Sequence, residues 1–131
     1  MFKNNLDKLR SKMNENDIEL SIITDDDNLY YFTGYHDFLH MDFNRPTILL
    51  VPKDDQSILI TPLLDVLLVP EDTPVEKVET WNDGIGLEWR ECLPKIIKNH
   101  NNIYIAYNLY MAWITKSVRL MFIILFLCNT C

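Results

Sequence analysis

The stretch that decides the fold of this chain runs Asn28-Leu29-Tyr30-Tyr31-Phe32-Thr33-Gly34-Tyr35. The residues from Asp25 to Asn28 have short polar side chains, which accept hydrogen bonds from the free N–H groups at the start of a helix. Three consecutive aromatic residues then put a large apolar area into one short turn. Gly34 ends the turn, where a left-handed or closely packed backbone excludes a Cβ. The pattern predicts a short helix with an aromatic plug and a glycine stop, a unit that many folds use.

The sequence before this stretch predicts a helix followed by a strand. Apolar residues recur at steps of four, three and four, at Phe2, Leu6, Leu9 and Met13. This spacing places them on one face of an amphipathic helix, which the polar residues 14–17 end. Residues 18–24 then alternate Ile18, Leu20 and Ile22 with other side chains, and Ile23 adds a second apolar face. We therefore expect a strand that is covered on both sides.

The sequence after this stretch predicts a hairpin. Thr47 to Val51 is a β-branched, apolar run between two prolines, which is typical of a strand. A polar turn at residues 53–56 leads into a returning strand at residues 57–61, so the two strands pair antiparallel. Pro62 favours the first turn of a short helix, and Val75 to Trp81 reads as another short strand.

The last third of the chain continues the alternation of helix and strand. Residues 85–98 have a helical pattern that Pro94 either kinks or ends. A strand at residues 103–107 and a helix at residues 109–120 follow. Strands separated by helices around a central hairpin predict an α/β fold with a mixed β-sheet flanked by helices.

Composition excludes several classes of protein. A chain of 131 residues is long enough for one domain with a real core. The net charge is −7 and the lysines are scattered among acids, which argues against nucleic acid as a partner. Three scattered cysteines favour a reduced, cytoplasmic protein. The N-terminus has no apolar signal core, and the longest apolar run is well short of the ~20 residues of a membrane span, so we expect no membrane partner.

The central stretch also resembles a known signature. Asn28-x-x-Tyr31-Phe32-Thr33-Gly34-Tyr35 is similar to the Asn-x-x-Tyr-Leu-Thr-Gly-Phe motif of the creatinase/prolidase N-terminal domain. That domain precedes the pita-bread metallopeptidase domain of Xaa-Pro dipeptidases, aminopeptidases P and creatinases. Further matches keep the family's order: Leu6-Asp7-Lys8-Leu9-Arg10 with Met13, residues 18–24, Arg45-Pro46 before Leu49-Leu50-Val51-Pro52, and Trp81-Asn82-Asp83-Gly84. The resemblance implies a ribonuclease H-like mixed sheet, and we assign this domain to residues 1–119.

The resemblance also implies where the chemistry resides. The family's catalytic domain holds two divalent metal ions, Mn, Co or Zn, through two aspartates, one histidine and two glutamates, which polarise a water for attack on an amide. None of these ligands is placed on this sequence, so the catalytic domain is expected to be absent. We therefore assign no catalytic residue, no metal ligand and no cofactor to this chain, and expect it to be non-catalytic by itself.

A substrate-facing rim is the candidate site. In creatinases a Phe-Gly-Arg segment from one subunit reaches the active site of the other, and Phe43-Asn44-Arg45 resembles it, with Asn in place of Gly and a slightly longer spacing from Gly34. An arginine fork suits a substrate carboxylate; the alternative for Arg45 is a surface salt bridge. The resemblance implies rim residues at Tyr35, His36, His40, Phe43 and Arg45.

His36 and His40 have a second interpretation. Their i, i+4 spacing on a helix would place both imidazoles on one metal ion. No glutamate follows His36, so the pair is not the HExxH zinc motif. Exposed hydrogen bonding is the simpler expectation.

The apolar tail at residues 120–131 leaves two alternatives open. It is either a buried final strand or a point where the natural protein diverges or is truncated. The expected function is that of a non-catalytic N-terminal domain of an Xaa-Pro dipeptidase or aminopeptidase, which serves dimerisation and caps the active site of a partner subunit. The expected partner is a second copy or a catalytic domain of the family, with a small peptide substrate only in the full-length context. The alternatives are a creatinase-like amidinohydrolase domain and a stand-alone α/β self-association module, for which the tail and the three tryptophans argue.

Overall fold

A computed structural model describes residues 1–36, 46–82, 89–98 and 100–106. The elements follow in this order: α1 (Phe2–Glu15), β1 (Leu20–Ile23), α2 (Asp26–Thr33), β2 (Ile48–Pro52), β3 (Ile58–Pro62), a 3₁₀ helix (Leu63–Leu68), β4 (Lys77–Trp81), α3 (Trp89–Ile97) and β5 (Ile103–Ala106). The helix predicted at residues 109–120, Trp113 and the apolar tail at residues 120–131 lie outside the described residues.

The five strands form one mixed sheet in the order β4-β3-β2-β1-β5. The strands β2 and β3 pair antiparallel, which confirms the predicted hairpin, and β1 pairs antiparallel with β2. The pairs β3–β4 and β1–β5 are parallel. The expected mixed α/β sheet is therefore confirmed. Among the described residues, no helix is long and apolar enough to cross a bilayer.

Two hydrophobic clusters cover the two faces of the sheet. Leu49 and Val51 of β2 join residues of α1 and α2 on one face. Ile48 and Leu50 join Trp89 and other α3 residues on the opposite face. All five residues of β2 are buried, and each large apolar side chain contributes roughly 2 kcal/mol by leaving water. Double coverage explains why the strand sequence is apolar without alternation.

The end of α1 shows how a polar run stops a helix. Asn16 is the C-cap, and Asp17 next to it has a positive φ of 54°. The N–H of Ile18 donates to the carbonyl of Met13 at 2.9 Å, and the N–H of Asp17 donates to the carbonyl of Asn14 at 3.4 Å. This is the bonding pattern of a Schellman motif. Ile18 also packs on the cluster that contains Met13, so the helix end is fixed by hydrogen bonds and by apolar contact together.

Three details differ from the sequence-based expectations. The aromatic plug is incomplete, because Phe32 is buried whereas Tyr30 and Tyr31 are 50% and 46% exposed; α2 turns one face to the sheet and the other to solvent. The helix after Pro62 is a 3₁₀ helix. Pro94 does not end α3, which continues to Ile97.

Candidate functional site

The start of α2 is fixed by Asp25. Its carboxylate accepts a hydrogen bond from the backbone N–H of Asn28 at 3.0 Å, and the Asn28 side-chain amide donates to both Asp25 oxygens at 2.9 Å. Asp26 and Asp27 occupy the first turn, where the helix dipole favours negative charge. The acidic run therefore caps the helix, as predicted.

The end of α2 is fixed by Gly34. This residue has a φ of 73°, and its N–H donates to the carbonyl of Tyr30 at 2.8 Å. A Cβ at this position would lie 2.8 Å from Cε2 of the Phe2 ring. The backbone conformation and the close approach of α1 both explain why glycine occupies the position.

Tyr35 places its side chain in the core. The residue is 1% exposed, and its hydroxyl lies 3.3 Å from the hydroxyl of Thr61. Thr61 in turn lies 3.4 Å from the Thr47 hydroxyl, and the N–H of Tyr35 donates to the Thr33 hydroxyl at 3.0 Å. Sequence reasoning missed both Thr47 and Thr61. The hairpin register was the available signal, because the pairing of Ile48 with Ile60 sets these two threonines opposite each other.

The described residues on the two sides of segment 37–45 each lie next to a buried hydrogen bond. One is that of Tyr35, and the other is that of Pro46. His36 precedes the segment, and Pro46 follows it. The carbonyl of Pro46 accepts a hydrogen bond from Trp81 Nε1 at 3.1 Å, and Trp81 is 3% exposed. Trp81 pairs with Pro62 in the sheet, one residue beyond Thr61. Both ends of the segment are thus held at the same end of β3.

The predicted rim residues are only partly visible. His36 is exposed, and its ring centroid lies 6.0 Å from that of Tyr30 in an edge-to-face contact. Tyr30 makes a second edge-to-face contact with Phe2 at 5.9 Å. His40, Phe43 and Arg45 lie outside the described residues. Of the predicted rim, only Tyr35 and His36 are described, and these two are neighbours in the sequence.

The family's two-metal centre does not fit the described residues. Within the ranges given above, no group of three or more His, Cys, Asp or Glu side chains is close enough together to hold a metal ion. His40, with its neighbouring aspartates, lies in segment 37–45. We therefore derive no catalytic step through a metal from the described residues.

A charged contact joins α1 to the start of β4. Arg10 Nη2 lies 2.9 Å from Glu76 Oε2, and the same oxygen accepts hydrogen bonds from the backbone N–H and the hydroxyl of Ser57 at 2.6 and 3.0 Å. The hydrogen bond from the Ser57 N–H, followed by that from Arg10, lowers the pKa of Glu76 below its usual 4.5. The carboxylate therefore ties α1, β3 and β4 together on the surface.

An exposed leucine surface was also missed. We define it as the four leucines of the 3₁₀ helix, which are 49%, 72%, 92% and 42% exposed at Leu63, Leu64, Leu67 and Leu68. Large contiguous exposed apolar surfaces can mark interaction sites, whereas apolar residues exposed singly are ordinary. The two Leu-Leu pairs flanking Asp65 and Val66 were the sequence signal.

Comparisons with known proteins agree with this architecture. The sequence profile of the creatinase/prolidase N-terminal domain matches residues 5–115. The creatinase/prolidase N-terminal domain of an X-Pro dipeptidase from Streptococcus pyogenes superposes with a TM-score of 0.67 and 23% identity, over 80% of this chain and 77% of that one. The N-terminal domain of an Xaa-Pro dipeptidase from Lactobacillus brevis superposes with a TM-score of 0.61 and 16% identity, over 77% and 75%.

A longer relative shows what share of a dipeptidase this chain matches. A dipeptidase from Pyrococcus horikoshii superposes with a TM-score of 0.64 and 25% identity, over 82% of this chain but only 29% of that protein. A comparison with curated proteins finds no match. The profile match covers most of the chain, and the solved structures superpose on most of it. The chain therefore belongs to the creatinase/prolidase N-terminal domain family.

Proposed function

We propose that this chain acts as a non-catalytic N-terminal domain of an Xaa-Pro dipeptidase or prolidase, which dimerises and caps the active site of a partner subunit. The substrate class is taken from the names of its structural neighbours, which include an X-Pro dipeptidase and a prolidase, and these names favour the X–Pro amide over a creatine-like substrate. The two divalent metal ions, Mn, Co or Zn, would belong to a catalytic domain outside these residues. A cytoplasmic location is part of the proposal.

The observation that carries the capping role is the anchoring of segment 37–45 at both ends. Tyr35 bonds to Thr61, and Trp81 bonds to Pro46, so two buried hydrogen bonds set where the segment leaves and re-enters the fold. A segment held in this way can present side chains to a partner without disturbing the core. In the proposal, Arg45 binds the substrate carboxylate, and His36, His40 and Phe43 complete the rim around it. Tyr35, being buried, anchors that rim.

The first experiment measures X–Pro dipeptide hydrolysis by the purified chain with added Mn²⁺ or Co²⁺. We expect no turnover from the folded chain. Turnover that chelator abolishes and that survives repurification would overturn the non-catalytic assignment.

A second experiment adds this chain to the part of the Pyrococcus horikoshii dipeptidase that lies outside the matched 29%. We expect kcat/KM for X–Pro substrates to rise when this chain is present.

The matched variants separate capping from general stabilisation. In the mixture of this chain with the dipeptidase portion, Arg45→Ala should raise the KM for the X–Pro substrate by roughly tenfold, because a charge-assisted hydrogen bond to the substrate carboxylate is lost. Lys95→Ala removes a positive charge from an exposed position on α3 and should leave KM unchanged. An equal effect of both variants, or an effect of neither, would contradict a rim role for Arg45.

A further inference from the structure

The strand β4 forms one edge of the sheet. Among the described residues it is one of the two outermost strands, with β5 at the other edge, and its residues Lys77, Val78 and Thr80 are exposed. An open edge presents unpaired backbone N–H and C=O groups, which can pair with another chain.

The direction of the β4 peptide groups sets the pairing geometry. The N–H of Lys77 donates to the carbonyl of Ser57 at 3.0 Å, on the side of β3. Because successive residues of a strand alternate, Val78 and Thr80 turn their N–H and C=O groups toward the open edge. A second β4 that runs antiparallel, with a two-fold axis at Val78, would place Val78 opposite Val78 as a hydrogen-bonded pair.

The charges of β4 fit the same axis. A two-fold axis at Val78 places Lys77 of one copy opposite Glu79 of the other, where opposite charges attract across strands. Within one copy, Lys77 Nζ lies 2.7 Å from Glu79 Oε1, and this hydrogen bond raises the pKa of Lys77. The four charges of two copies would therefore alternate in sign around the axis. The edge is complementary to itself.

The leucine surface lies beside this edge. Leu59 pairs with Val78 in the sheet, so both side chains point to the same face. Val69 and Val75, in the connection between the 3₁₀ helix and β4, pack in the cluster that contains Leu59, and the 3₁₀ helix packs against β3 and β4. A two-fold axis perpendicular to the sheet would keep both leucine surfaces on the same face of the joined sheet. Because Pro62, which precedes the 3₁₀ helix, pairs with Trp81, antiparallel pairing about Val78 sets the starts of the two 3₁₀ helices at opposite ends of the joined strands, so the leucine surfaces are not part of the pairing.

We propose that two copies of this chain associate through antiparallel pairing of their β4 strands about Val78. The partner is a second copy of this chain, and the contact is isologous. This rests on the dimerisation part of the proposed function and gives it a partner surface and a register.

A charge-reversal pair tests the register. In a Lys77→Glu chain, the introduced carboxylate would face Glu79 of the second copy, and in a Glu79→Lys chain two lysines would face each other. Each variant alone should raise the dimer dissociation constant by roughly tenfold or more in sedimentation equilibrium, because like charges lie directly opposite. An equimolar mixture of the two should recover association as a heterodimer, because every cross-strand pair then has opposite signs. Both variants keep a net negative charge, since the chain starts from −7, so the recovery cannot come from overall attraction.

Controls distinguish this register from a loss of folding. Lys95→Glu reverses an exposed charge on α3 and should leave the dissociation constant unchanged. The double change Leu64→Ser with Leu67→Ser, at exposed positions outside the paired strands, should leave the dissociation constant, the far-UV circular dichroism and the thermal midpoint close to those of the original chain. Recovery in the mixture with intact single variants establishes the register.

Two outcomes overturn the proposal in different ways. A dimer that persists in both charge variants, or a mixture that shows only the average of the two, rejects the β4 pairing but leaves dimerisation by another surface. An original chain that stays monomeric at every concentration rejects the β4 pairing and the dimerisation part of the proposed function together. The capping role is tested separately by Arg45→Ala.

Discussion

Two short helical segments in this molecule treat their apolar residues in opposite ways. The helix α2 follows β1 and buries Leu29 and Phe32, which are 1% and 8% exposed. The 3₁₀ helix follows β3 and exposes its four leucines, while Asp65 at its centre is only 4% exposed. Similar apolar content therefore leads to a core element in one place and to an exposed surface in the other.

Helical period explains the difference. In α2, Leu29 and Phe32 are three residues apart and share the face that meets the sheet. A 3₁₀ helix has three residues per turn, so its side chains form three rows. Asp65 and Leu68 share the inward row, and Leu68 is the least exposed of the four leucines, whereas Leu64 and Leu67 share the outward row. Apolar content alone does not indicate burial; the period and the row that meets the sheet decide it.

The largest expected effect separates the two segments by stability. Leu29→Ala should lower the free energy of unfolding by about 2–5 kcal/mol, because it removes a fully buried side chain and leaves a cavity. Leu67→Ala, at a 92% exposed position, should change it by less than about 0.5 kcal/mol. Denaturant unfolding followed by tryptophan fluorescence at low protein concentration measures both, since Trp81 and Trp89 are buried. Equal losses of unfolding free energy in Leu29→Ala and Leu67→Ala would contradict the difference between a buried and an exposed segment.

A middle-sized effect concerns the glycine stop of α2. Gly34→Ala should destabilise the fold by about 1–2 kcal/mol, because a left-handed backbone is unfavourable for alanine, and the contact with the Phe2 ring adds to this loss. The 3₁₀ helix has no such requirement, because its C-cap residue Val69 has an extended backbone. Thermal or denaturant unfolding gives the change.

A double-mutant cycle with Phe2→Ala divides the two causes. In the Phe2→Ala background the ring is gone, so Gly34→Ala should lose only the part due to backbone conformation. If the Gly34→Ala loss is the same in both backgrounds, the close approach of Phe2 to Gly34 makes no contribution.

The smallest expected effect lies at the contact between α1 and the start of β4. Glu76→Gln should lower stability at neutral pH by about 0.5–1 kcal/mol, as expected for a partly exposed ion pair with hydrogen bonds. Because folding lowers the pKa of Glu76, its contribution is complete above the usual value of 4.5 and disappears as pH falls through the lowered pKa. The difference between the two proteins should therefore shrink in acid.

Unfolding curves at several pH values between neutral and strongly acidic test this prediction. Glu15→Gln is the matched control, since Glu15 forms an exposed ion pair with Lys12 at 2.7 Å and has no backbone donor in that contact. A Glu76→Gln difference that grows in acid would reverse the predicted sign.

Local patterns were enough to predict most of the elements. The four-three-four spacing of α1, the acidic cap and Gly34 stop of α2, and the proline-bounded hairpin all depend on neighbouring residues, and all were confirmed. The parallel pairing of β5 with β1, the edge position of β4 and the burial of Tyr35 depend on residues far apart in sequence, such as Ile22 with Ile105 and Tyr35 with Thr61. The exposed leucines required knowledge of the three-residue period, which the sequence does not state.

The paired anchors at Tyr35 and Pro46 have a consequence for how this domain can change by insertion. Because both anchors bond to the fold itself, the framework does not depend on the number of residues between them. Each doubling of loop length costs only about 0.6 kcal/mol of closure entropy. Insertions between the two anchors should therefore cost little stability and leave the five-stranded sheet unchanged.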